Sequence, residues 1–180
     1  MQKIVDSVTL RAVWQLLKWK DSDGRVSAFL QNGGSIEEAR KLFGEPFGVE
    51  EMKGNLALNE GLQELIDIIC AIGSPTKWDN TNARLGVGDS NTAAAATQTG
   101  LQAATNKTFK AMDATYPQKS NQTVEWRSTF ASADANYPWE EYTIVNAADD
   151  TGKNLNRKVE SKGTKVSGES WTLSLKITFS

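Results

Sequence analysis

Two oxygen-rich turns are the first places to look for chemistry. Asp21-Ser-Asp-Gly24 has the carboxylates and glycine of half a calcium loop. With Gly24 as the sixth loop position, the first is Trp19 and the twelfth is Leu30. Neither supplies the carboxylate a helix-loop-helix calcium site needs there. The stretch reads instead as a polar turn with Gly24 at positive φ. Asp149-Asp-Thr-Gly152 also offers oxygens suited to weak calcium binding, but no further carboxylate follows at useful spacing. A hairpin turn accounts for it. Glu140 and Glu141 are adjacent, so in a strand they point to opposite faces and do not form a paired acid and base. No metal and no cofactor is expected.

Nucleophilic catalysis meets a harder obstacle. The chain contains no histidine, which removes the commonest general base, the usual partner of a serine or cysteine nucleophile and the commonest metal ligand. Gly88-Asp-Ser-Asn91 follows a strand-like segment and resembles the nucleophile block of GDSL-type esterases. Those enzymes need a histidine to take the serine proton, and their block lies near the start of an α/β domain. Here a tight turn in which Asp89 bonds nearby backbone donors is the simpler reading of Ser90. The single cysteine, Cys70, excludes an internal disulfide and a multi-cysteine metal site. It lies in an apolar run with no lysine or arginine beside it, the setting of a small buried hydrophobe. No catalytic residue is expected.

Aromatic residues remain. Tyr137-Pro-Trp139, with Trp126 and Trp171, is either a carbohydrate platform or core, and alternate strand positions favour core. Six tryptophans exceed what one small core needs, so some are expected at a contact between chains.

The elements that position these groups follow from periodicity. Residues 170–179 set Trp171, Leu173, Leu175, Ile177 and Phe179 against Thr172, Ser174, Lys176 and Thr178. This is a strand with one face on a core and its back to water. Further strands are expected over 83–87, 107–112, 123–130, 141–146 and 155–161, with polar turns between them. The Ala- and Thr-rich stretch 92–105 reads as a loop lying over the sheet or at a subunit contact. Residues 4–20 carry Ile4, Val5, Val8, Ala12, Val13, Leu16 and Leu17 at helical spacing, which predicts a helix widened by Trp14 and Trp19. That helix packs on its own chain or docks on a neighbour. Residues 26–30 read as a short strand or extended piece. Ser35-Ile-Glu-Glu38 matches a capping box opening a helix over 36–43. A longer helix is expected over 56–72, lined by Leu58, Leu62, Leu65, Ile66, Ile69 and Ile72 and stopped by Gly73-Ser-Pro75.

The fold class is therefore α+β: a small helical N-terminal region, 1–55, then an antiparallel β-sandwich or barrel-like domain, 56–180, that opens with one helix. With 180 residues, 39% hydrophobic and 23% charged, the chain can form a core without staples. A net charge of −2 with no basic block argues against nucleic acid as a partner. No run approaches the roughly 18 apolar residues of a membrane span, and residues 1–6 lack the apolar core of a signal peptide.

Several segments carry a family resemblance. Asn59-Glu-Gly-Leu-Gln-Glu-Leu65, Asn82-Ala-Arg-Leu-Gly-Val-Gly-Asp-Ser90 and Ala96-Thr-Gln-Thr-Gly-Leu-Gln102 begin the series. Met112-Asp-Ala-Thr-Tyr-Pro117, Trp126-Arg-Ser-Thr-Phe130, Ala133-Asp-Ala-Asn136 and Leu155-Asn-Arg-Lys-Val-Glu-Ser161 continue it. Over residues 55–180 the chain resembles tailed-bacteriophage virion structural proteins, most closely a capsid decoration (cement) protein. The resemblance implies a non-enzymatic β-rich module located in the virion, assembled in the bacterial host cytoplasm. Its implied partners are the major capsid protein or other virion proteins, and itself, as a homotrimer. Neither nucleic acid nor membrane is an implied partner. The alternative is a tail fibre, adaptor or baseplate component with a receptor- or carbohydrate-binding role. Interface candidates are Val13, Trp14, Leu17 and Trp19 in the N-terminal region, Phe43 and Phe47 after the capping box, and Tyr137 and Trp139. Deleting residues 1–55 is expected to leave a folded β domain that no longer binds particles.

Overall fold

The computed structural model describes residues 9–180. Two five-stranded antiparallel sheets face each other across one hydrophobic core. The architecture is mostly β, sandwich-like, with three short helices. The first sheet runs β2 (Gly48–Lys53), β1 (Leu10–Lys20), β10 (Glu169–Phe179), β7 (Thr123–Phe130), β6 (Gln118–Ser120). The second runs β3 (Leu56–Ala57), β9 (Asn154–Val159), β8 (Glu141–Val145), β4 (Arg84–Gly88), β5 (Lys107–Ala111). All six strands expected from the pattern are present.

The N-terminal region departs from expectation. Residues 10–20 form a strand, not a helix, and that strand lies inside the first sheet. Its register with β10 is unbroken over eleven pairs, from Leu10 opposite Phe179 to Lys20 opposite Glu169. Ala12, Trp14 and Leu16 face the inter-sheet core, while Leu17 and Trp19 face the other way into a second cluster with Val26, Leu30 and Ala39. Because both faces are covered, apolar residues fall at 12, 16 and 17, a spacing that imitates a helix. The positions Ile4, Val5 and Val8 lie outside the described residues. Residues 10–53 are therefore no detachable anchor, since removing β1 strips a long interior strand from its partners on both sides.

Residues 26–30 likewise reverse, belonging to helix α1 (Arg25–Gln31). Asp21 explains why: its carboxylate accepts the backbone N–H groups of Val26 and Ser27, each at 2.9 Å, and so fastens the first turn. Helix α2 (Ile36–Phe43) opens with the complete Ser35–Glu38 capping box. Together α1 and α2 cover the outer face of the first sheet at one end. Ser170, Thr172 and Ser174 of β10 are accordingly buried, and only from Lys176 onward does that face meet solvent.

Helix α3 (Asn59–Cys70) leans on β9. A side chain at Gly61 would overlap the Leu155 Cα and the Asn154 carbonyl, so the close approach depends on glycine there.

Candidate functional site

Each group singled out for chemistry has a structural occupation. Gly24 adopts φ +73°, and Asp21 is a helix fastener. Burial works against the Asp21 charge, but hydrogen bonds from Ser27 and Val26 outweigh it and hold the carboxyl below its ordinary value. Asp149 accepts the Thr151 N–H at 2.9 Å within the β8–β9 turn, and hydrogen bonding from the Thr151 side chain together with that N–H lowers its carboxyl too. Asp150 bonds the Leu101 N–H and pairs with Lys107 at 2.9 Å. Ser90 Oγ lies 3.0 Å from Thr92 Oγ1, and Asp89 accepts from Asn106 at 2.6 Å. Among the described residues, no three or more Cys, Asp or Glu side chains gather as a metal site.

Glu140 and Glu141 do face opposite ways. Glu140 accepts the Ser161 hydroxyl, while Glu141 is wholly buried. Glu141 accepts the backbone N–H groups of Gln102 and Ala103 and receives Arg157 Nε at 2.7 Å. Arg157 also donates to Gln98, 3.0 Å away. This pair sits on the outer face of the second sheet and pins the 95–103 loop over it. Gly88, paired with Glu141 across the strands, has no room for a side chain, since a Cβ would come within 2.5 Å of the carboxylate.

A matching device holds the other sheet. Arg127 pairs with Asp113 at 2.8 Å, both buried, and donates to the carbonyls of Leu30 and Gly34 at 2.9 and 2.8 Å. It thereby ties the α1–α2 hairpin to β7. Burial outweighs the neighbouring guanidinium and raises the Asp113 carboxyl. Charged residues on strands read as solvent-facing, so neither lock was foreseen. No local signal marks them, since Glu125 shares β7 with Arg127 and Lys158 follows Arg157 in β9.

Lys165 is a third unforeseen buried charge. Its Nζ donates to the Ala131 carbonyl at 2.8 Å and to Asn136 Oδ1 at 2.9 Å, joining two loops. Burial pushes its pKa down to about 8.

The aromatic residues pack inside. All six tryptophans are buried, five in the inter-sheet core and Trp19 beneath the helices. Trp139 stacks edge-to-face on Phe130 and Trp171, each with ring centroids 4.8 Å apart. Tyr137 is half-buried, and its hydroxyl meets Val87 O and Thr108 Oγ1, with burial pushing it up to about 12. No stacking platform reaches the surface through Trp126, Trp139 or Trp171. Of the interface candidates, Trp14, Leu17, Trp19 and Trp139 are core residues of their own chain. Val13 and Phe43 are partly covered, and Phe47 is 50% exposed. Cys70 is exposed, not buried, because α3 turns its other side to the body.

Surface apolar residues gather in two places. Leu42, Phe47 and Val49 lie within one short segment that ends on β2, an edge strand. Ile66 and Ile69 project from α3, with Ile72 just beyond its end. Beside α3 a gap of about 20 Å³ lies between the sheets, walled by Leu65, Leu155, Asn156 and Ile177. The Asn156 carboxamide has no protein partner, and the gap suits a single water. A larger open groove of about 390 Å³ beside β6 is lined by polar side chains and no aromatic face.

The charged side chains with the deepest burial thus serve as locks between layers, and a few large apolar side chains are left exposed on α2, β2 and α3. Set against family models, curated proteins and solved structures, the chain matches none of them.

Proposed function

We propose that this chain is a non-catalytic structural component of a tailed-phage particle, which adheres to a neighbouring virion protein and stabilises the assembly, as a capsid cement protein does. Two things support the reading: the resemblance over residues 55–180 and the placement of Leu42, Phe47 and Val49. The second carries the geometry. Large apolar side chains exposed beside an unpaired sheet edge are the usual material of an adhesive surface. Glu50, Glu51 and Lys53 on β2 guard that edge against indiscriminate pairing. A partner that binds only the assembled lattice stabilises it by mass action, and a contact of about 1,200–2,000 Å² would be ordinary. The tail-component reading with a sugar platform is less favoured, since the tryptophans it needs are interior.

The anchor is thus reassigned from a detachable N-terminal region to the α2–β2 side. The test is cryo-EM of particles from the phage whose genome carries this chain, with wild type or Leu42→Asp/Phe47→Asp. Regularly spaced density for the wild type, lost in the variant, is expected. Absence of the chain from wild-type particles, or full occupancy by the variant, would refute the proposal.

A further inference from the structure

Strand β2 ends the first sheet, so half of its backbone groups have no partner strand. The ladders say which half. The Gly54 N–H donates to the Ala12 carbonyl at 3.0 Å, one step beyond the Val13–Lys53 pair of the β1–β2 register. Bonding in an antiparallel pair alternates from residue to residue, so Gly48, Glu50 and Met52 also turn their backbone groups to β1. The other side of β1 agrees. Thr9 and Ser180 exchange bonds at 2.6 and 3.0 Å, which assigns the odd-numbered residues of β1 to β10 and the even-numbered ones to β2. Val49, Glu51 and Lys53 therefore point their N–H and C=O groups out of the sheet. Lys158 Nζ takes the Lys53 carbonyl at 3.0 Å, which leaves a free run over Val49, Glu51 and the Lys53 N–H.

This edge differs from the other three. It spans six residues, against five for β5, three for β6 and two for β3. Among the described residues, β5 and β6 carry no large exposed apolar side chain, whereas Leu42, Phe47 and Val49 lead onto β2. A partner that covers those three must also take the neighbouring backbone groups out of water. A helix, its own backbone already bonded, would bury them unsatisfied. An extended chain supplies both the donors and the acceptors. The side chains then set its sequence. Glu50 turns inward and is held by Lys18 and Lys162. Val49, Glu51 and Lys53 project from the outer face, opposite Leu17, Gln15 and Val13. An added strand places its alternate residues across from them. An apolar residue facing Val49, a basic one facing Glu51 and an acidic one facing Lys53 complement that series.

We propose that β2 receives an extended segment of a neighbouring protein as a sixth strand of the first sheet, with apolar, basic and acidic residues at the alternate positions facing Val49, Glu51 and Lys53. The neighbour is the virion protein of the proposed function, on which this assignment rests; what is added is the form and chemistry of the segment it contributes.

The test is a cryo-EM map of wild-type particles at side-chain resolution, together with Glu51→Pro. A strand of the neighbour is expected about 4.8 Å from β2, with a basic side chain across from Glu51. Proline removes the outward Glu51 N–H and none of the bonds to β1, a position where edge strands accept it. The purified Glu51→Pro chain is therefore expected to melt like wild type by circular dichroism. Its binding to particles assembled without the chain should weaken by about ten- to a hundredfold. A map in which Leu42, Phe47 and Val49 are covered while the β2 edge faces a helix, a loop or water would overturn the added strand and leave the particle reading standing. Full binding by a folded Glu51→Pro would do the same. Should that variant misfold, the wild-type map decides alone. Particles that lack the wild-type chain would overturn both.

Discussion

Trp139 separates a tryptophan that builds the core from one that meets a partner. Its indole has no solvent exposure, touches Phe130 and Trp171 edge-to-face, and donates from Nε1 to the Ala135 carbonyl at 3.0 Å. A buried tryptophan removes about 200 Å² from water, or about 5 kcal/mol at roughly 25 cal/mol per Å². Collapse around the truncated site recovers part of that, so Trp139→Ala should cost about 3–5 kcal/mol. Unfolding entropy for a chain of this length is about 0.4 kcal/mol per kelvin, so 4 kcal/mol corresponds to a Tm lower by about 10 °C. Trp139→Phe keeps most ring contacts and loses the N–H bond. The Ala135 carbonyl still accepts the Tyr137 N–H at 2.9 Å, so it is not orphaned, and the cost should fall to about 1–2 kcal/mol. The assay is guanidinium unfolding followed by circular dichroism, with the slope of the transition unchanged. Measuring at two protein concentrations removes any contribution from association. A loss below about 1 kcal/mol for Trp139→Ala, or a loss that vanishes on dilution, would refute the core assignment.

Two further outcomes follow from the buried charges. Glu141→Ala leaves Arg157 buried without its carboxylate and frees the Gln102 and Ala103 N–H groups, so it should cost about 3–5 kcal/mol, read in the same unfolding assay. Limited proteolysis should then cut the 95–103 loop first. Lys165 gives a pH signature. Its folded pKa, about 8, lies below the value of an unfolded lysine, so between about 8 and 10.5 the unfolded chain binds the extra proton. Stability therefore rises with pH through that window and is lowest, for this group, beneath it. Lys165→Met should remove this rise when its denaturant midpoints are compared with wild type from pH 7 to about pH 10. Parallel profiles would show that the ammonium is not held out of water.

How much could be read in advance depended on whether one face of an element meets water. β7 and β10 announce their core faces through Trp126 and Phe130, and through Trp171, Leu173, Leu175 and Ile177, because alternation reports burial on a single side. The capping box at Ser35 was equally legible, being local in sequence. β1 was not, because Leu16 and Leu17 are both buried, one beneath the opposite sheet and one beneath α1 and α2. A strand covered twice loses its period of two. What makes it a strand is β10, about 160 residues along the chain, and local propensity carries no record of a partner that distant. The locks were hidden for the same reason. Glu141 is charged because Arg157 and the 95–103 loop are there to receive it, and Arg127 because Asp113 and the α1–α2 hairpin are. Helix α3 differs, since Ile66, Ile69 and Ile72 were read as lining one side with Leu58, Leu62 and Leu65, and the structure leaves those three isoleucines exposed while Leu58 is buried.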